Sequence, residues 1–178
     1  MTSEQDRQRL LRIAREAIVA HVCGGSPSVD LSSDSQIRGA AFVTIHAKGE
    51  LRGCIGHIET DRPLARVVLD CAVAACSEDP RFMPVTPAEV PTLAIEVSVL
   101  GPFEPIASPD DIEVGRHGLM IEHDRRRGLL LPQVATEWRW DRETFLAQTC
   151  QKAGLRRDAW QKGAKVWRFE AEVFGEGG

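Results

Sequence analysis

The run Leu51-Arg52-Gly53-Cys54-Ile55-Gly56, entered from Ala41-Phe42-Val43-Thr44-Ile45 through the turn Ala47-Lys48-Gly49-Glu50, reads as the second arm of a β-hairpin. Glycines flank the cysteine on both sides. Glycine weakens a strand interior, so it marks a bulge there, or a place where another backbone or a ligand comes close. Side chains alternate along a strand, which puts Arg52 and Cys54 on one face and Leu51, Gly53 and Ile55 on the other. The length of the turn sets what lies across from the thiol. A two-residue loop at Lys48-Gly49 faces Cys54 with Val43, whereas a three-residue loop from Lys48 to Glu50 faces it with Thr44 and sets His46 opposite Arg52. His57 points away from Cys54 unless a bulge intervenes.

On the N-terminal side, Leu10, Ala14, Ala17, Ile18 and Val22 recur at helical spacing and predict an amphipathic helix over residues 5–22. Gly24-Gly25-Ser26-Pro27 ends it, and the serine-rich stretch on to Gly39 reads as a loop. After the hairpin, Thr60-Asp61-Arg62-Pro63 offers a cap for a second helix, whose stripe is Leu64, Val67, Val68, Cys71, Ala72 and Ala75 and whose end falls near Glu78. Asp79-Pro80-Arg81-Phe82-Met83-Pro84 is too rich in proline to continue that helix. Leu93, Ile95, Val97 and Val99 alternate as a strand. A second hairpin runs from Gly118 to His123, turns over 124–128, and returns through Leu129-Leu130-Leu131, with Pro132 marking the strand's end or an edge. Asp141 caps a third helix that closes at Gly154, and Trp167, Phe169, Ala171 and Val173 form one closing strand. At least six strands and three helices in this order predict an α+β fold with mainly antiparallel pairing.

The chain has 178 residues and 43% hydrophobic content, enough for one well-buried core or two small lobes. Its net charge of -4 recommends neither a nucleic-acid nor an anionic-membrane partner. No apolar run approaches the roughly 18 residues needed to span a bilayer, and residues 1–15 lack the apolar core of a leader, so a soluble cytoplasmic protein is expected. Cys23, Cys54, Cys71, Cys76 and Cys150 have irregular spacings, which predict reduced thiols and no structural zinc site. All but Cys54 are read as small packing residues.

Two readings of Cys54 stand side by side. A guanidinium beside the thiol favours the thiolate, so Arg52 can make Cys54 a nucleophile at neutral pH. Alternatively Cys54 is buried in a sheet, its glycines clear room for a packed helix, and Arg52 pairs with a carboxylate. His117, bracketed in Gly115-Arg116-His117-Gly118, is a candidate acid, base or ligand. Asp79 and Arg81 read equally well as a surface ion pair. No phosphate-binding glycine loop, dinucleotide fingerprint, Gly-x-Ser-x-Gly elbow or His-Glu-x-x-His helix is present. The Arg125 to Arg127 run and the patch Arg156, Arg157, Trp160 and Lys162 read as solvated charge, with RNA binding through the latter as a third reading.

The hairpin with Leu51-Arg52-Gly53-Cys54-Ile55-Gly56 resembles the signature of the AMMECR-domain family. Asp79-Pro80-Arg81-Phe82, Gly115-Arg116-His117-Gly118, Leu131-Pro132-Gln133-Val134-Ala135, Glu137 and Lys152-Ala153-Gly154 match in the same order, over nearly the whole chain. The resemblance implies one domain over residues 1–178, made of two intimately associated subdomains with a cleft into which the motif projects, in a stand-alone prokaryotic type of member. It implies a site of Cys54, Arg52 and His117, with Gly53, Ile55, Gly56, Asp79, Arg81, Gln133, Glu137 and Lys152 as binding residues. It names no reaction and no cofactor. For prokaryotic members it implies association with a Memo-family protein and a radical S-adenosylmethionine protein, the AmmeMemoRadiSam system. The expectations are a small enzyme that transfers or hydrolyses a small molecule through the Cys54 thiolate or, as the alternative, a non-catalytic binding module for such partners or for a small-molecule ligand.

Overall fold

Strands β1 (Ala41–Ala47) and β2 (Glu50–His57) form the expected hairpin in a computed structural model that describes residues 2–31 and 37–177. Ala47 faces Glu50 and His46 faces Leu51, so the loop is the two-residue Lys48-Gly49. Both residues have positive φ, 54° and 80°, as the tight hairpin turn that matches strand twist requires. The register then shifts between Ile45 and His46. Ile45 faces Gly53 and Thr44 faces Cys54, which leaves Arg52 as the extra residue of a bulge. Neither simple loop length describes this hairpin, because the turn is the short one while the pairing beyond the bulge is that of the longer one.

The other strands and α-helices among the described residues are α1 (Glu4–Cys23), α2 (Leu64–Ser77), β3 (Leu93–Leu100), β4 (Glu104–Pro105), β5 (Gly118–His123), β6 (Arg126–Leu130), α3 (Pro132–Glu137), α4 (Arg142–Lys152), β7 (Lys165–Phe169) and β8 (Ala171–Gly175). They build two four-stranded sheets, in the orders β2-β1-β3-β8 and β4-β7-β5-β6. The pairs β1/β2, β1/β3, β4/β7, β5/β6 and β5/β7 are antiparallel, which makes the fold α+β as expected.

The chain divides into two compact units, residues 1–99 with 172–178, and residues 100–171. In the first, α2 packs on β1 and β2, and α1 packs on α2. Ile13, Ile18, Val43, Ile45, Val67 and Val97 are fully buried at the centre of this layer. Burial of each such side chain contributes roughly 1.5–3 kcal/mol. A capping box closes the start of α1, with the Ser3 hydroxyl accepting from the Asp6 backbone N–H and the Asp6 carboxylate accepting from the Ser3 backbone N–H. In the second unit, α4 packs on β5 and β6 over Leu119, Ile121, Phe145, Leu146 and Cys150. Asp141 caps α4 by accepting from the Thr144 N–H at 2.7 Å, as its sequence predicts.

Several expectations need correction. Helix α2 has no side-chain cap, and the carbonyl of Ile37 instead accepts from the Leu64 N–H at 2.9 Å. Strand β6 ends at Leu130, and Pro132 opens the short helix α3, which the sequence did not announce and where its fixed φ and missing N–H suit the first turn. The turn of the second hairpin is shorter than 124–128, since Arg126, Arg127 and Gly128 already pair with β5. The single closing strand is two strands, split at Glu170, with β7 in one sheet and β8 in the other. Cys23 is exposed and does not pack. The serine-rich loop to Gly39 falls partly on residues 32–36, which lie outside the described residues.

Candidate functional site

Strand β2 lies at an edge of its sheet, so the outward backbone groups of Cys54 have no neighbouring strand to bond. The loop after α2 supplies the partners. The Asp79 carboxylate accepts from the Cys54 N–H at 3.0 Å, and the Arg81 guanidinium donates towards the Cys54 carbonyl at 3.5 Å. Asp79 also accepts from Arg81 through Nε at 3.0 Å, Nη2 at 2.7 Å and the backbone N–H at 3.1 Å. Asp79 and Arg81 are therefore no loose surface pair: the Asp79 side chain is 2% exposed and that of Arg81 54% exposed. The hydrogen bonds from Arg81 hold the Asp79 carboxyl well below the usual carboxylate range against the opposing effect of burial.

Because the Cys54 N–H points away from β1, Thr44 and Cys54 form the close, non-hydrogen-bonded type of antiparallel pair. Their side chains meet, with Thr44 Oγ1 3.3 Å from Cys54 Sγ. Burial pushes the thiol above its ordinary value, and this outweighs the lowering by Thr44 and by the charge on Arg81. The thiol is thus neutral at pH 7.

Arg52 does not do what the thiolate argument asks of it. The bulge turns it to Glu89, which it grips through Nε to Oε1 at 3.0 Å and Nη2 to Oε2 at 3.3 Å. That pairing holds the Glu89 carboxyl down at about 2. The Phe82 ring lies near both guanidinium groups, 6.0 Å from that of Arg52 and 5.4 Å from that of Arg81.

Gly53 faces α2, where a Cβ would lie 2.1 Å from the Ala75 carbonyl oxygen. Ile55 packs on the core of the same unit, and a Cβ on Gly56 would meet the Phe42 ring at 2.4 Å. The contacts of Gly53, Ile55 and Gly56 are packing contacts, and the alternative reading of the glycines, as room for a packed helix, holds at Gly53.

His117, Gln133, Glu137 and Lys152 belong to the second unit. His117 is 7% exposed, and its Nδ1 accepts from the Glu113 N–H at 2.9 Å while the His117 backbone N–H donates to the Glu113 carbonyl. Burial depresses its pKa, so the imidazole is neutral and fastens its own turn. Gln133 and Glu137 lie one helical turn apart on α3, and Lys152 is the last residue of α4. Among the described residues no group of three or more His, Cys, Asp or Glu could hold a metal ion. No helix there is long and apolar enough to cross a membrane.

The AMMECR1 family model matches residues 11–174. The chain belongs to this family. A protein of Methanothermobacter thermautotrophicus is 46% identical over 188 residues, covering 99% of this chain and 97% of its own. Protein TK0174 of Thermococcus kodakarensis is 44% identical, covering 94% and 88%. The crystal structure of the uncharacterized protein PH0010 from Pyrococcus horikoshii superposes with a TM-score of 0.90 at 39% identity, covering 98% of this chain and 93% of that one. None of these names states an activity.

Within this AMMECR1-family chain, sequence reasoning missed Glu89 as the partner of Arg52. The signal was available in Thr86-Pro87-Ala88-Glu89, a capping-box spacing in which Glu89 accepts from the Thr86 N–H at 2.8 Å. It also missed Phe82 as the ring beside both guanidinium groups. Nothing in the sequence tells that Asp79 would complete a sheet edge, since that depends on where the loop after α2 returns.

Proposed function

We propose that this chain is a non-catalytic binding module of the cytoplasm, and that it docks a Memo-family protein through the loop 79–84 and the adjoining edge of β2, with a radical S-adenosylmethionine protein as a further member of the assembly. The observation that carries this reading is the state of Arg81. Asp79 occupies its Nε and Nη2, which fixes the guanidinium plane, while Nη1 makes no bond among the described residues. A guanidinium fixed in this way binds a partner carboxylate with little further loss of side-chain freedom. Met83, two residues along, is 81% exposed and adds an adaptable apolar contact. Arginine beside exposed apolar surface is a frequent composition of interface hot spots.

The thiol-enzyme reading, with Cys54 attacking a small molecule and His117 as acid or base, has less support. Cys54 Sγ has a hydroxyl and not a histidine as its hydrogen-bond partner, and its pKa is raised. The test is association of the purified chain with the Memo-family protein of the same organism, followed by calorimetry. Arg81→Glu and Met83→Asp should each weaken binding about tenfold or more, and Cys54→Ser should leave it unchanged. Binding that survives both surface changes but fails in Cys54→Ser would overturn the proposal.

A further inference from the structure

The second unit contains a cavity of about 790 Å³ that none of the residues of the candidate functional site lines. One wall is the tip of the β5–β6 hairpin, where Asp124 at a φ of 56° reverses the chain and presents Arg125 and Arg126. The other wall is the segment after α4, from Gly154 at a φ of 75° through Arg156 to Lys162. In the sequence these are two separate basic patches. The fold brings them together in the lining of one concavity.

Two contacts make the arrangement rigid. A Cβ on Gly128 would stand 2.5 Å from the Ala153 backbone nitrogen, so only glycine lets the end of α4 lie this close to β6. Arg126 then donates from Nη1 to the Gly154 carbonyl at 2.6 Å and ties one wall to the other. The charges do not cancel. Asp158 stands 3.5 Å from Arg156 and Asp124 stands 3.9 Å from His123, while Arg125 and Lys162 have no ion-pair partner among the described residues. Four permanent cations against two carboxylates line this cavity, in a chain whose net charge is -4. Concave walls of one sign concentrate the field and attract a counter-ion of matching size.

From this juxtaposition we propose that the cavity is a binding site for a small polyanion carrying two or more phosphate-type groups, a ligand of nucleotide size. The volume falls inside the range of roughly 300–1,000 Å³ typical of small-molecule sites. Arg125 and Lys162 supply the unpaired charge, and Arg126 and Gly154 hold the frame. Cationic groups gathered on one concavity suit a compact ligand, whereas a nucleic-acid strand needs a groove that tracks its backbone.

Inorganic triphosphate is the probe, titrated calorimetrically into the full chain at low salt. Saturable binding at one site is expected. It should weaken about tenfold or more in the double variant Arg125→Glu/Lys162→Glu, persist in Lys162→Arg, and fall as salt is raised. Arg126 and Gly154 are left intact so that the thermal midpoint of the variant stays that of the parent, and Arg81→Glu, in the other unit, should bind triphosphate normally. Absence of saturable binding to the parent chain would overturn the proposal. So would equal binding by the double variant, or single-stranded RNA affinity that exceeds that of triphosphate and climbs with strand length.

Discussion

Asp79 is the residue on which the candidate site depends. It is 4% exposed, yet it stays ionised because three donors from Arg81 and one from the Cys54 backbone replace its water. Removing such a group leaves the Cys54 N–H and part of the guanidinium without partners. Asp79→Ala should therefore cost about 3 kcal/mol of stability in urea denaturation at neutral pH. The sign with pH follows from the depressed pKa. The folded state holds the carboxylate while the unfolded chain takes up a proton near pH ~4, so the contribution is complete above that value and is lost as pH falls. The gap between parent and Asp79→Ala should narrow steadily below pH ~4; a gap that widens there would contradict the ion-pair account. Arg52 and Arg81 illustrate why residue roles were only half legible. The sequence placed Arg52 beside the thiol by strand alternation, but one bulge gave Arg52 to Glu89 and left Arg81, from a loop, as a cation whose charge acts on the Cys54 thiol.

At the scale of elements, the hairpin and helix α2 depend on each other through Gly53. Its missing side chain is the space that the Ala75 carbonyl occupies, and the contact is to backbone, which cannot swing aside. Gly53→Ala should force β2 and α2 apart and cost about 3 kcal/mol or more, read from the denaturant midpoint, whereas Cys54→Ser, on the other face, should cost about 1 kcal/mol. If Gly53→Ala were neutral, the close packing described for α2 would be wrong. The long elements were legible for local reasons: α1, α2 and β3 carry a sustained period of 3.6 or 2, Asp141 caps α4, and turn residues set off the two hairpins. What escaped was short or set by distant contacts. Helix α3 has six residues and β4 two, too few for a period to register. The bulge at Arg52 leaves no local mark beyond the glycine that follows it, and the break at Glu170 sits inside an unbroken alternation, so neither the thiol's register nor the two-sheet ending could be read along the chain.

At the scale of the molecule, family and architecture agree. An α+β chain of the AMMECR1 family matches a relative over 99% of its length and a solved structure at a TM-score of 0.90. The class of fold followed from the order of elements, and the family from motifs spread along the whole chain. Activity did not follow, because a signature of glycines and one cysteine serves packing and chemistry alike. The sequence-predicted residues fall in both units, with Cys54, Arg52, Asp79 and Arg81 in one and His117, Gln133, Glu137 and Lys152 in the other. The central claim is that the Cys54 thiol is neutral at pH 7 and belongs to a binding surface. The direct measurement is the rate of Cys54 alkylation by iodoacetamide as a function of pH, followed by mass spectrometry in a Cys23→Ser background, since Cys23 is exposed while Cys71, Cys76 and Cys150 are buried. The account predicts slow labelling at neutral pH with a midpoint above the ~8.5 of a free thiol. A midpoint below that value, with labelling at pH 7 faster than a free thiol's, would contradict it and restore Cys54 as a nucleophile.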